Sequence, residues 1–428
     1  MKNSGKEMYQ WVKDLFPINR SITGDGVRET LKYIKNVLPE LSIHQIPSGE
    51  KCFDWTVPQE WNVKEAYIED SQGKKIVDFS ENNLHLVGYS IAVDQEMSFS
   101  ELNEKLHYLE SLPNAIPYVT SYYSRNWGFC LTYDQYKTLS KDETYHVRID
   151  ASLEKGSLTY GEILIEGQST KEIFLSTYIC HPSMANNELS GPVVAMALTN
   201  FIKSLKNRKY SYRIIFIPET IGSICYLSKN LDMMKENIIA GFNLTTIGDD
   251  RVYSFVPSRD DSSIADRAAR HVLKYNDIEV LYYSFLQRAS DERQYCFPGV
   301  DLPVVTICRS KYLEYPEYHT SLDNLDFISP AGLEGGFDKV KQTIELIEKN
   351  AKYKIMTLCE PQLGKRGLYP TMSTKESHQQ VESMMNFIAY ADGTLDLIAI
   401  ADIIKVDAKE LYGIIDTLIG ENLLEIVE

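Results

Sequence analysis

Between roughly residues 150 and 350 of this 428-residue chain, short apolar runs alternate with amphipathic stretches, and that alternation constrains the fold more than any other feature. KEIFLSTYIC (171–180), YRIIFIPE (212–219), AGFNLTTIG (240–248) and DLPVVTICRS (301–310) have strand length and β-branched content. GPVVAMALTNFIKSLK (191–206), IGSICYLSKNLDMM (221–234) and SIADRAARHVLKY (263–275) carry helical periodicity between them. Repeated strand–helix–strand units predict an α/β fold with a mostly parallel sheet and helices on both of its faces.

The flanks differ. Trp11, Val12, Leu15 and Phe16, then a second helical pattern from Gly26 to Val37, predict paired helices at the start. From Pro47 to His146 short β-like runs such as WTVPQEWNV and WGFCLTYDQY are broken by turns. This segment holds Trp55, Trp61 and Trp127 and the stretch YVTSYYSRNWGF, which read as packing residues or as an aromatic platform for a sugar or peptide. At the other end, Asp407 and Glu410 precede an apolar face of Leu411, Ile414, Ile415 and Leu418, and Gly420 supplies a stop. That pattern predicts a small winged helix.

Charge weighs against nucleic acid. The chain has 44 basic and 60 acidic residues, a net charge of −16. From Val381 to Glu428 ten acidic residues face two basic ones, Lys405 and Lys409, so the winged helix carries −8 and is expected to serve docking or dimerisation rather than duplex binding. Seven scattered cysteines with no CxxC pair point to reduced thiols. No membrane span or apolar signal core is legible, and a cytoplasmic location is expected.

In open α/β sheets, ligands gather beyond the carboxyl ends of the strands. His181, Glu219, Thr245, Asp249 and Asp250 end or follow predicted strands, Asp291, Glu292 and Arg293 precede one, and His319 follows another. Two histidines with carboxylates suit zinc, and a free carboxylate beside the ion can take a proton from bound water. Each residue also has a plainer reading. A single strand-end histidine is more often structural, Glu219 would favour a helix N-terminus in any case, and Asp291, Glu292 and Arg293 could form local ion pairs.

HPSMANNELSG, IPETIGSICYL, FNLTTIG, ASDERQYC and YHTSLDNLDFIS occur in the order of the site motifs of zinc aminopeptidases related to glutamate carboxypeptidase and glutaminyl cyclase. Over nearly its whole length the chain resembles a bacterial aminopeptidase-like family of unknown function. Its members combine a peptidase-like domain with an inserted small domain, marked here by FDWTVPQEWNV, and a C-terminal winged helix. They are often linked to surface-polysaccharide biosynthesis genes. The resemblance divides the chain into N-terminal helices (1–46), an inserted β-rich domain (47–146), an aminopeptidase-like domain (147–355) and a winged helix (360–428).

Carried over residue by residue, the resemblance makes His181 and His319 metal ligands and Glu219 the catalytic general base. Asn187 falls where a bridging aspartate is expected, Thr220 replaces a metal-binding glutamate, and Thr245 replaces an aspartate. Three negative charges are thereby lost. One zinc per chain is expected rather than two, held by His181, Asn187 and His319, with Asp249, Asp250, Asp291, Glu292, Arg293 and Tyr318 as further metal or substrate contacts. The implied function is hydrolysis of an amide or peptide bond in a small peptide, amide or amino-sugar-containing substrate. The alternative is a non-catalytic binding module with a degenerate site, and a homo-oligomer or protein partner would dock through the winged helix.

Overall fold

A computed structural model describes residues 4–368 and 375–427. Residues 369–374 and 428, which fall in the stretch expected to form the winged helix, lie outside the described residues. The chain divides into two compact units, residues 1–261 with 281–338 and residues 262–280 with 339–428.

The first unit is built on an eight-stranded sheet. Its strands are β1 (Ser42–Pro47), β2 (Ser157–Ile165), β3 (Glu172–Tyr178), β4 (Ser211–Ile217), β5 (Ile238–Asn243), β6 (Tyr253–Val256), β7 (Val280–Tyr282) and β8 (Val304–Cys308), in the order β1-β2-β4-β3-β5-β8-β6-β7. Strands β4, β3, β5 and β8 run parallel, while β1 and β2 on one side and β6 on the other pair antiparallel. The parallel alternation read from the sequence is thus the centre of a mixed sheet. Every residue of β3 and β4 is buried, the condition under which a strand loses its polar alternation and becomes continuously apolar.

Two helices precede the sheet, α1 (Ser4–Leu15) and α2 (Asp25–Val37). Met8, Trp11, Val12 and Leu15 give α1 a buried stripe, and Val27, Thr30, Leu31 and Ile34 do the same for α2. Gly24 begins α2 at φ +98°, where a β-carbon would stand 2.2 Å from the Trp61 carbonyl oxygen, so no larger residue fits. After β3 a π-helical turn, Ala185–Leu189, leads into α3 (Ser190–Ser204), and after β4 comes α4 (Ile221–Asn237).

Residues between β1 and β2 form a separate antiparallel sheet, Lys75–Asp78, Glu60–Glu69, Thr144–Glu154 and Val93–Ser98 in that order, with a short hairpin, Lys51–Cys52 and Trp55–Thr56, ahead of it.

In the second unit, Lys352–Ile355 is the central strand between Asp392–Asp396 and Leu424–Val427, so this sheet draws on residues ahead of 360. Its helices include Leu397–Ile404 and Ala408–Gly420. Asp407 caps the last helix through the Lys409 amide, and Leu411, Ile415 and Leu418 form its buried face. The predicted helix 263–275 appears as Ile264–Lys274 and belongs to this unit. Arg267 donates twice to Asp396 (2.7 and 2.6 Å), and His271 Nε2 accepts from the Ala408 amide (2.9 Å).

Candidate functional site

The carboxyl ends of three parallel strands supply the site. His181 stands three residues beyond β3, Glu219 two beyond β4 and Thr245 two beyond β5. His319 comes from the loop after β8, at φ +55°. Its ring centroid lies 5.6 Å from that of His181, and Tyr318 stacks on it at 3.9 Å.

His181 is fixed from behind. Its Nδ1 donates to Glu188 Oε2 (2.8 Å), which leaves Nε2 on the opposite edge of the ring, 3.6 Å from Glu219 Oε2. Glu188 is in turn 3.3 Å from Arg20 Nε, both side chains are wholly buried, and Arg20 also donates to the His181 carbonyl (3.0 Å). Arg20 reaches the site from the loop after α1, where its Nη1 holds the Leu15 carbonyl (2.8 Å). Burial pushes His181 down to about 3, with Arg20 adding to the effect, and pushes His319 down to about 3 as well. Both imidazoles are therefore neutral at pH 7 and keep a lone pair for a ligand.

Glu219 is aimed by a strained turn. Thr220 has φ +62° and ψ −78°, and the Ile221 amide donates back to the Glu219 carbonyl (2.8 Å). This is a γ-turn of the rarer positive-φ hand, costly for a β-branched residue. The SDER stretch braces it. Asp291 Oδ1 accepts from the Thr220 amide and from Ser223 Oγ (2.8 Å each), and Arg293 donates to Thr220 Oγ1 (3.0 Å). Ser290 Oγ donates to Glu219 Oε1 (3.0 Å), and Cys180 Sγ accepts the Glu219 amide (3.2 Å). Burial, then the nearby Asp291 carboxylate, pushes Glu219 up to about 8, and burial pushes Asp291 up to about 6.

The other half of the site is neutral. The Tyr178 hydroxyl donates to Asn187 Oδ1 (3.0 Å) and makes a short hydrogen bond with Thr245 Oγ1. Asn187 Nδ2 is buried without a partner. A half-turn of that amide, with Tyr178 becoming the acceptor, would expose the carbonyl oxygen instead. Asp323 holds the π-helical turn in place by accepting from the amides of Asn186 (2.6 Å) and Asn187 (2.9 Å).

The remaining sequence candidates separate. Tyr318 lies at the site, whereas Asp250 is exposed. Asp249 has its carboxylate filled by Ser310, Asn186 and the Arg251 amide. Glu292 accepts from Tyr312, Asn243 and the amides of Ala289 and Ser290. Both act as braces for loops. Sequence reasoning did not assign Arg20, Glu188, Tyr178 or Asp323. It left Tyr118 open, and here the Tyr118 amide donates to the His319 carbonyl (2.9 Å) while its ring stands 5.3 and 5.1 Å from the two histidine rings. The aromatic stretch in the segment between β1 and β2 thus forms one wall.

This donor set does not fit a metal pair, because Asn187, Thr220 and Thr245 bring no charge to balance two dications. It fits one ion better. A carboxylate fixes one nitrogen of His181 and leaves the other free, the arrangement that orients histidine ligands, and the His319 ring lies 5.6 Å from that of His181. Among the described residues, the trio of Cys, His and acidic ligand atoms gathered within 4.8 Å is Cys180, His181 and Glu188. The Arg20 guanidinium already supplies its positive charge, so that cluster orients His181 rather than holding an ion.

A family model described as domain of unknown function DUF4910 matches residues 9–350, and a winged helix-turn-helix model matches 351–426. A Clostridium acetobutylicum protein, provisionally described as a polysaccharide biosynthesis protein with an aminopeptidase-like domain, is 42% identical over 426 residues, 99% of this chain and 97% of its own. A crystal structure of a peptidase, provisionally so described, from Clostridium acetobutylicum superimposes with TM-score 0.94 at 41% identity, covering 100% of this chain and 98% of that one. A zinc aminopeptidase from Bacillus subtilis shares the fold, with TM-score 0.56 at 13% identity over 80% of this chain and 94% of its own.

Proposed function

Because this chain belongs to the DUF4910 family, an aminopeptidase-like fold followed by a winged helix, we propose that it hydrolyses an amide or peptide bond with one zinc ion per chain. The substrate class is a small peptide, an amide or an amino-sugar derivative, and the naming of the Clostridium relative for polysaccharide biosynthesis supports a role in that chemistry. The observation that carries the reading is His181, anchored through Nδ1 by Glu188 so that Nε2 faces Glu219 at 3.6 Å.

His181, His319 and the Asn187 amide would hold the ion. Bound zinc would polarise the scissile carbonyl and make water a better nucleophile. Glu219, held by Ser290 and by the turn at Thr220, would act in its ionised form, which a nearby cation would favour against the upward push of burial and Asp291, taking the proton of the attacking water and returning it to the departing nitrogen. Tyr118 and Tyr318 would flank the substrate and limit water.

A second reading, a binding module without turnover, is favoured by one observation. Tyr178 occupies Asn187 Oδ1 and Thr245 Oγ1 from within the protein, as a site relieved of metal chemistry would.

Location in the cytoplasm accords with the absence, among the described residues, of any helix long and apolar enough to cross a membrane. The acidic winged helix is assigned to a protein partner or a second copy.

The two readings part on Glu219→Gln. Under the hydrolase reading, release of amine from a panel of peptide and N-acyl amino-sugar amides falls at least about 100-fold while substrate still binds. Equal release by wild type and variant would overturn it.

A further inference from the structure

Arg293 enters the candidate site from the SDER stretch and holds no carboxylate. Elsewhere in this acidic chain arginines are paired, Arg28 with Glu60, Arg148 with Glu65, Arg213 with Glu172, Arg251 with Glu317 and Arg267 with Asp396. Asp291 stands two residues from Arg293, but its Oδ1 is spent on the Thr220 amide and on Ser223. Among the described residues no carboxylate oxygen lies within 4.0 Å of the Arg293 nitrogens, so the local ion pairs that SDER could have formed are not made.

The guanidinium is only half spent. Nε donates to the Ser290 carbonyl (3.0 Å) and Nη2 to Thr220 Oγ1 (3.0 Å), two neutral acceptors that share one edge of the fork. The end-on edge, formed by Nη1 and the second hydrogen of Nη2, has no partner among the described residues. Arg293 is partly exposed, as are Glu219, Thr220, Tyr318 and His319, so solvent reaches all five. Burial raises the Glu219 carboxyl and the Tyr318 phenol, with Asp291 adding to the first rise and Glu219 to the second, and the Arg293 charge opposes both. The guanidinium therefore stands within Coulombic reach of the proposed base and of the ring that stacks on His319.

We infer that the free edge of Arg293 receives a carboxylate of the substrate, carried within a few bonds of the amide addressed by His181 and Glu219, so that the site selects acidic amides over neutral ones. The inference rests on the amide-hydrolase reading for the place of the amide. One guanidinium edge offers two parallel N–H groups, the match for a single planar carboxylate. A dianionic phosphate fits less well, because Glu219 and Asp291 are close by and would repel the second charge. Thr220 and Ser290 fix the fork in advance, so little side-chain freedom is lost when the anion arrives.

The test is an NMR titration of the full-length chain, wild type and Arg293→Gln, with two acid and ester pairs, N-acetylalanine with its methyl ester and N-acetylneuraminic acid with its methyl ester. The spectra read affinity and release of amine together. In wild type at least one acid is expected to bind about tenfold or more tighter than its ester, and the pair that shows it tells an amino-acid carboxylate from a sugar-acid one. Arg293→Gln should abolish that ratio. A bracing role alone would weaken acid and ester alike and leave the ratio standing. No preference for the acid in either pair, failure of all four compounds to bind, or a ratio that survives in Arg293→Gln would overturn the inference. Acid preference lost in the variant, with no amine released by wild type, would keep the carboxylate site and defeat the hydrolase reading, whereas amine released from acid and ester alike at equal affinity would keep that reading and remove the carboxylate site.

Discussion

The two halves of the candidate site are built to opposite rules. On one side Arg20, Glu188, His181 and Glu219 form a buried series of ionisable groups, each positioned by the next. On the other, Asn187, Thr245 and Tyr178 form a neutral triad whose hydrogen bonds are largely closed on themselves. Fully buried charge is tolerated only when paired, so the first half is costly to keep. The second half carries no charge to balance a metal pair, and the Tyr178 phenol bonds both of its other members.

The sharpest way to break this contrast is at Glu219. Glu219→Gln should lower amide turnover by about 100- to 10,000-fold, with an unchanged unfolding transition, measured by amine release and by denaturant titration. A fall of less than tenfold would move the base elsewhere. Arg20→Met should come next. It leaves Glu188 buried without its cation and is expected to cost about 3–5 kcal/mol of stability, read from urea unfolding. A cost under about 1 kcal/mol would show that the series does not depend on its charge.

On the neutral side the effects should be smaller. Tyr178→Phe strips a donor from Asn187 and should cost about 1–3 kcal/mol without altering zinc content. Asn187→Asp restores one missing charge and should tighten zinc about tenfold or more, measured by competition with a chelating dye. Weaker zinc binding in that variant would mean position 187 does not face the ion.

A pair remote from both halves sets the baseline. His146 lies between Asp94 (2.8 Å) and Glu69 (3.3 Å), and those hydrogen bonds raise its pKa. A raised folded-state value contributes stability that is complete below the ordinary histidine value, about 6.5, and is lost as pH rises through the folded value. His146→Gln should therefore remove a small fall in melting temperature above that pH and leave turnover unchanged.

What was legible in the sequence was whatever depends on local pattern. β3 and β4 stand out because both of their faces are covered, and His181, Glu219 and His319 could be singled out because they follow strands, where ligands gather, and match the motif order of the family the chain resembles. Partners distant along the chain left no signal. Arg20 lies 161 residues from His181, and nothing in INRSITG marks it as the cation behind a histidine. Asp249 misled for the converse reason. It follows a strand as a ligand should, but Ser310 and Asn186 already occupy its oxygens. The antiparallel flanks were missed because β1 and β2 stand outside the strand–helix alternation, β1 falling at the end of the stretch read as N-terminal helices, and their pairing joins segments distant along the chain.

The proposed function requires His181 and His319 to hold a single zinc ion. The most direct test is elemental analysis of untagged protein, equilibrated with zinc and freed of excess, beside His181→Ala and His319→Ala variants. About one zinc per chain, lost in both variants, is the predicted result. No zinc in wild type, or zinc retained in either variant, would contradict the account.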